Sequence, residues 1–79
     1  RILAAYKDEV LYLVIAQGKT LLLCNSFRAP DFTTAQYFIF LAMKKLQLNP
    51  EISTISFRTS LNEEQEMSLY RYFKNVEQI

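Results

Sequence analysis

Seventy-nine residues, 51% of them apolar with six Phe and five Tyr, supply a core for one small domain and exclude a disordered chain. Nine basic and eight acidic side chains leave a net charge of +1, without the clustered basic face that nucleic-acid binding needs; only Lys44 and Lys45 are adjacent. No apolar run exceeds seven residues, where a membrane span needs about 20, and no signal-peptide pattern opens the chain.

Three strands are expected first, over residues 2–6, 10–17 and 20–28, joined by short turns. Lys7-Asp8-Glu9 forms the first turn and Gln17-Gly18-Lys19 the second. Gly18 is the lone glycine, and a tight hairpin is where positive φ is needed. The second strand is apolar on both sides: Leu11, Leu13 and Ile15 on one, Tyr12, Val14 and Ala16 on the other. A strand covered on both faces and central in its sheet reads this way. The third strand loses that character at Asn25-Ser26.

A helix is expected over residues 31–48, after Pro30. Asp31 or Thr33 can cap it, and Thr33 to Gln36 has capping-box spacing. Ala35, Phe38, Ile39, Ala42 and Leu46 recur with a helical period and form the buried stripe. Pro50 stops the helix, because proline disfavours helix in the residue before it. A fourth strand follows near 53–59. Ile55 and Phe57 share one face while Thr54, Ser56 and Arg58 share the other, which suits burial on one side only. A second helix is expected over 63–76, capped by Asn62 with Gln65 three residues on. Its early glutamates suit the helix dipole, and Leu69, Tyr72, Phe73 and Val76 are its core stripe.

The outer side of the first helix breaks the pattern. Tyr37, Phe40, Leu41 and Leu48 lie there where polar residues belong. Four large apolar residues on one short helix point to a contact surface for another domain or subunit. The chain starts at Arg1 and closes on Val76 to Ile79, which resembles the entry to a further strand. It is expected to be a piece of a longer protein.

Much chemistry is absent. The chain has no His, so no Ser-His or Cys-His nucleophile arrangement can form within it. Cys24 is the only cysteine, so there is neither an internal disulfide nor a thiolate metal set. It sits in an apolar strand, so a buried, inert thiol is expected, in a reducing compartment. Acidic residues fall at turns and helix starts, namely Asp8, Glu9, Asp31, Glu51, Glu63, Glu64 and Glu66. These are capping and solvated positions.

The order β-β-β-α-β-α resembles the repeating half of ribonuclease H-like and actin-like ATPase folds. Ribonuclease H-like nucleases hold metals on clustered carboxylates, one of them in the first strand. Ile2 to Tyr6 contains no acid. Actin-like ATPases place an Asp-x-Gly phosphate loop at the first hairpin and a Gly-Gly turn after the fourth strand. The matching segments here, Tyr6 to Glu9 and Arg58 to Leu61, contain no glycine. Several stretches are more specific: Leu11 to Ile15 leading to Gly18 to Leu23, Asn25-Ser26-Phe27, Leu46 to Pro50, and Tyr70 to Glu77. Together they resemble a family of uncharacterised Bacteroidetes proteins, a domain of unknown function with an actin-like ATPase fold. The resemblance implies that this chain is one subdomain of a two-lobed whole. It carries no catalytic residue over.

The expected fold is therefore α+β, with a three-stranded antiparallel meander, a fourth strand parallel to the first through a right-handed crossover, and two helices. The expected function is a non-catalytic scaffold or interaction module. The alternative is an ATP-binding protein whose phosphate loops lie in the other lobe, and a nuclease is a distant third. No catalytic, cofactor-binding or metal-binding residue is assigned. Tyr37, Phe40, Leu41 and Leu48 are the candidate contact residues. The expected partner is the rest of the parent chain or another protein, with no nucleic acid and no membrane, in the cytoplasm.

Overall fold

A computed structural model describes residues Arg1 to Ile79. Strands β1 (Ile2–Lys7), β2 (Val10–Gln17) and β3 (Thr20–Arg28) form the antiparallel meander. Helix α1 (Phe32–Lys45) leads through a 3₁₀ turn at Pro50–Ile52 to β4 (Thr54–Phe57). Helix α2 (Glu63–Tyr70) leads to β5 (Asn75–Gln78). The sheet runs β3-β2-β1-β4-β5, with β1-β4 and β4-β5 parallel.

The fifth strand corrects the expected second helix. Residues 63–76 do not form one helix: α2 ends at Tyr70 and Val76 belongs to β5. Phe73 and Val76 are still buried. The periodic spacing of apolar residues continued past the true helix end because a strand and a helix share one core. The capping of α2 is as the sequence predicts. The Asn62 side chain accepts from the Gln65 N–H, and Gln65 accepts in return from the Asn62 N–H.

Helix α1 is also shorter than the expected 31–48. Asp31 is its cap, with Oδ1 accepting from the Thr34 N–H at 2.8 Å. At the far end Gln47 takes φ +59°, the left-handed conformation. The Leu48 N–H donates to the Met43 carbonyl at 2.9 Å and the Gln47 N–H to the Lys44 carbonyl at 3.1 Å. This pair of bonds is a Schellman motif. It ends the helix before Pro50 can, and turns Leu48 back against the core.

Register sorts the sheet into two faces. Leu23, Ile15, Ile2, Ile55 and Val76 stand in one row across all five strands. The next row on that face runs Asn25, Leu13, Ala4, Phe57 and Gln78. Both helices cover this face: Ala35, Ile39 and Met43 of α1 and Leu69 of α2 are buried in one cluster with its apolar residues. The Gln36 amide crosses from α1 to the Ser68 hydroxyl of α2 at 3.1 Å. That bond satisfies one of only two buried polar side chains.

The second strand therefore differs from its expected setting. It is next to the edge strand, β1 is central, and only its Leu11-Leu13-Ile15 face is covered by helices. The fourth strand differs as well. Flanked by β1 and β5, it buries Ser56 along with Ile55 and Phe57.

Candidate functional site

The other face of the sheet is left uncovered by both helices, which pack with the core on the opposite side. One row crosses all five strands as Cys24, Val14, Leu3, Ser56 and Glu77; Cys24 is exposed there and not buried as its apolar strand predicts, because no helix covers this side of β3. A second row holds Ser26, Tyr12 and Ala5, and a third holds Leu21 and Ala16. Tyr12 is 52% exposed and Leu21 61%. The meander side of this face is thus apolar. The β4-β5 side is polar, where the Ser56 hydroxyl donates to Glu77 Oε1 at 3.1 Å. Parallel strands are almost always covered on both faces, and this sheet is parallel across β1-β4-β5.

Two tight turns close the meander. The Asp8-Glu9 loop has φ +52° and +62°, and Gly18 has φ +59°. Positive φ at both central residues is the type I′ hairpin, usually made with Asn and Gly. Here two carboxylate residues occupy it. The chain continues from β3 past this turn, with the Ala29 N–H donating to the Glu9 carbonyl at 2.9 Å. The Tyr6 hydroxyl donates to the Ala29 carbonyl at 2.7 Å. Burial, then the negative charges of Asp31 and Glu9, raise the Tyr6 phenol above its ordinary value. After β4 the chain turns at Arg58 to Leu61, where the Thr59 hydroxyl accepts from the Tyr6 N–H at 3.0 Å.

The four candidate contact residues do not form one patch. Tyr37 is 60% exposed and meets Phe38 edge to face. Phe40 is half-buried against Tyr72 at 4.8 Å between ring centres and Phe73 at 5.7 Å. Leu41 faces the opposite way, into a groove between α1 and β3. Leu48 lies past the helix, in a depression beside Ile2, Ile15 and Ile52. Helical periodicity puts the surplus apolar surface on α1, whereas the structure also leaves one face of the sheet open. The available signal was β2, apolar on both sides.

Nowhere do three or more His, Cys, Asp or Glu side chains gather in a way that could hold a metal ion. No helix is long and apolar enough to cross a membrane.

Among solved structures, the chain is similar to a Bacteroides thetaiotaomicron protein with an actin-like ATPase fold and unknown function. The TM-score is 0.86 at 19% identity. The match covers 99% of this chain and 31% of that one, so this chain spans about a third of the length of the matched structure. At that identity the likeness establishes the fold. No curated protein matches the chain. The model of the family described as "Protein of unknown function (DUF3822)" matches residues 1–76, nearly the whole chain, and the chain belongs to that family.

Proposed function

We propose that this chain is a non-catalytic scaffold or interaction lobe built on a degenerate actin-like fold. The observation that carries this reading is the open face of the sheet. Leu3, Ala5, Tyr12, Val14, Ala16 and Leu21 form a continuous apolar surface over three strands, with no helix of this chain on it. Surfaces of that kind are contact surfaces. The covering partner is the remainder of the parent chain or a separate protein, with neither nucleic acid nor membrane involved. Tyr37, Phe40, Leu41 and Leu48 remain proposed contributors to further contacts. A cytoplasmic location belongs to the same reading, since the single free cysteine suits a reducing compartment.

The turns support the non-catalytic part. A phosphate loop presents backbone N–H groups to an anion at glycine positions. The Asp8-Glu9 turn instead places two carboxylates at the hairpin tip, where they repel phosphate.

The second reading is an ATP-binding protein whose phosphate loops lie elsewhere in the parent chain. It is favoured by the share of the match, since 31% coverage leaves most of the related chain to hold them. Calorimetric titration of the intact parent protein with ATP and Mg²⁺ separates the two. The scaffold reading expects no binding heat and no thermal shift at millimolar ATP. Saturable binding below about 100 μM, roughly 5.5 kcal/mol, overturns it in favour of the nucleotide.

A further inference from the structure

The two edges of the sheet are built differently. The β5 edge is four residues long and carries Glu77, and the Gln78 side chain is tied to Glu66 at 2.8 Å and to the Leu61 N–H at 2.9 Å. Short, charged edges of this kind resist pairing with another strand. The β3 edge is nine residues long. From Thr20 to Phe27 it contains no charged residue and no proline. Its only irregularity is a register shift opposite Ile15 and Ala16, near its start. Beyond that point Leu23 to Arg28 run in regular register with β2, leaving the opposite edge unpaired.

Beside this edge lies a groove of about 290 Å³ between β3 and α1. Leu23, Phe27, Phe38, Leu41, Ala42 and Leu46 give it an apolar lining. Phe27 and Phe38 stack at 5.0 Å and form one wall. Lys45 is its single charged lining residue. Asn25 also faces the groove, and its Oδ1 already accepts from the Ser26 N–H, so its amide N–H groups are left to meet a ligand.

We infer that β3 accepts an added strand: an extended peptide segment of a partner, with apolar residues at alternate positions and a carboxylate at the end beside Lys45. A strand on this edge would hydrogen-bond to the β3 backbone. Every second side chain would point to the helix side, into the groove, because side chains alternate with period two. Lys45 faces no acidic residue within the groove lining, so an acidic end on the peptide complements it. A second copy pairing through its own β3 would offer Lys45 no carboxylate, since Thr20 to Arg28 contains no acidic residue, and that favours the acidic peptide as occupant. The inference stands whether or not the parent protein binds ATP.

The test uses the intact parent protein and a fluorescein-labelled nonapeptide of alternating Val and Thr with Glu at both ends. Anisotropy is expected to show saturable binding below about 100 μM. N-methylation of one alternate set of peptide residues should weaken binding by more than about tenfold while the other set leaves it nearly unchanged, since only one set faces β3. Leu41→Asn, which adds no charge beside Lys45 and is checked for an unchanged thermal melt, should weaken binding by about tenfold by placing a polar amide in the apolar lining. Replacing the terminal Glu residues with Lys should also weaken it. No binding at about 1 mM, equal effects of the two N-methylated sets, or unchanged binding to the Leu41→Asn protein would each overturn the proposal.

Discussion

Replacing Gln47 with glycine should stabilise the chain. Gln47 holds φ +59° at the position that ends α1, and the two Schellman bonds at Leu48 and Gln47 depend on that conformation. A side chain with a Cβ in the left-handed region costs roughly 1–2 kcal/mol. Glycine removes that cost but brings a more flexible unfolded chain, worth roughly 0.4–1 kcal/mol against folding. The net expectation for Gln47→Gly is a gain centred on about 0.8 kcal/mol, within bounds of roughly 0 and 1.6. Gly18→Ala is the reciprocal experiment. Gly18 has the same φ, and a Cβ built there meets nothing within 4 Å, so any loss is purely conformational. It should cost about 1 kcal/mol. Urea unfolding followed by circular dichroism reads both, provided the slope with denaturant is unchanged. A destabilising Gln47→Gly would refute the reasoning. It would mean that the Gln47 side chain, which lines the depression beside Ile2 and Leu48, contributes more than its backbone conformation costs.

Four further outcomes follow from the contacts. Phe40→Ser should lose about 2 kcal/mol in the same urea assay through its rings' contact with Tyr72 and Phe73, while Tyr37→Ser, at an exposed site, should stay within about 0.5 kcal/mol. Ser56→Ala should cost about 1 kcal/mol and leave the Glu77 carboxylate without its cross-strand donor, which a paired Glu77→Gln variant would resolve as a coupling. The Tyr6 phenol is raised by burial and by Asp31 and Glu9, so the folded chain holds that proton more tightly than the unfolded one. Its contribution is complete below about pH 10 and falls away as pH rises toward the folded value; stability curves of Tyr6→Phe should lack that alkaline slope. Asp31 is lowered by its hydrogen bonds from the Thr34 backbone and side chain, against a small opposing effect of burial. Its contribution is present above the ordinary aspartate range and is lost as pH falls through the depressed folded value, so Asp31→Asn should flatten the acid limb, and an unchanged limb would refute the capping role.

Local signals were legible where one residue type answers one local demand. The three-strand meander, its turns, the Asn62-Gln65 capping box and the existence of two helices and a fourth strand could all be read from period, turn residues and caps. The actin-like architecture was legible from element order and from stretches such as Asn25-Ser26-Phe27. Boundaries failed where tertiary context overrode local pattern. Val76 repeats at helical spacing with Leu69 and Phe73, yet it packs on the same core from β5. Helical period places Leu48 on the outside of a helix, but a left-handed Gln47 turns it inward.

The candidate surface shows the same division. Sequence by itself determined that this chain has more apolar surface than one core needs, and that it lacks the glycines and clustered carboxylates of nucleotide and metal chemistry. Only the tertiary structure decided where that surplus lies. Both helices pack on one side of the sheet, so the second apolar face of β2 joins Leu3, Ala5 and Leu21 in the open. Strand periodicity states that a residue alternates between two faces; which face receives the helices depends on crossovers joining strands far apart in the chain, and no local pattern encodes that.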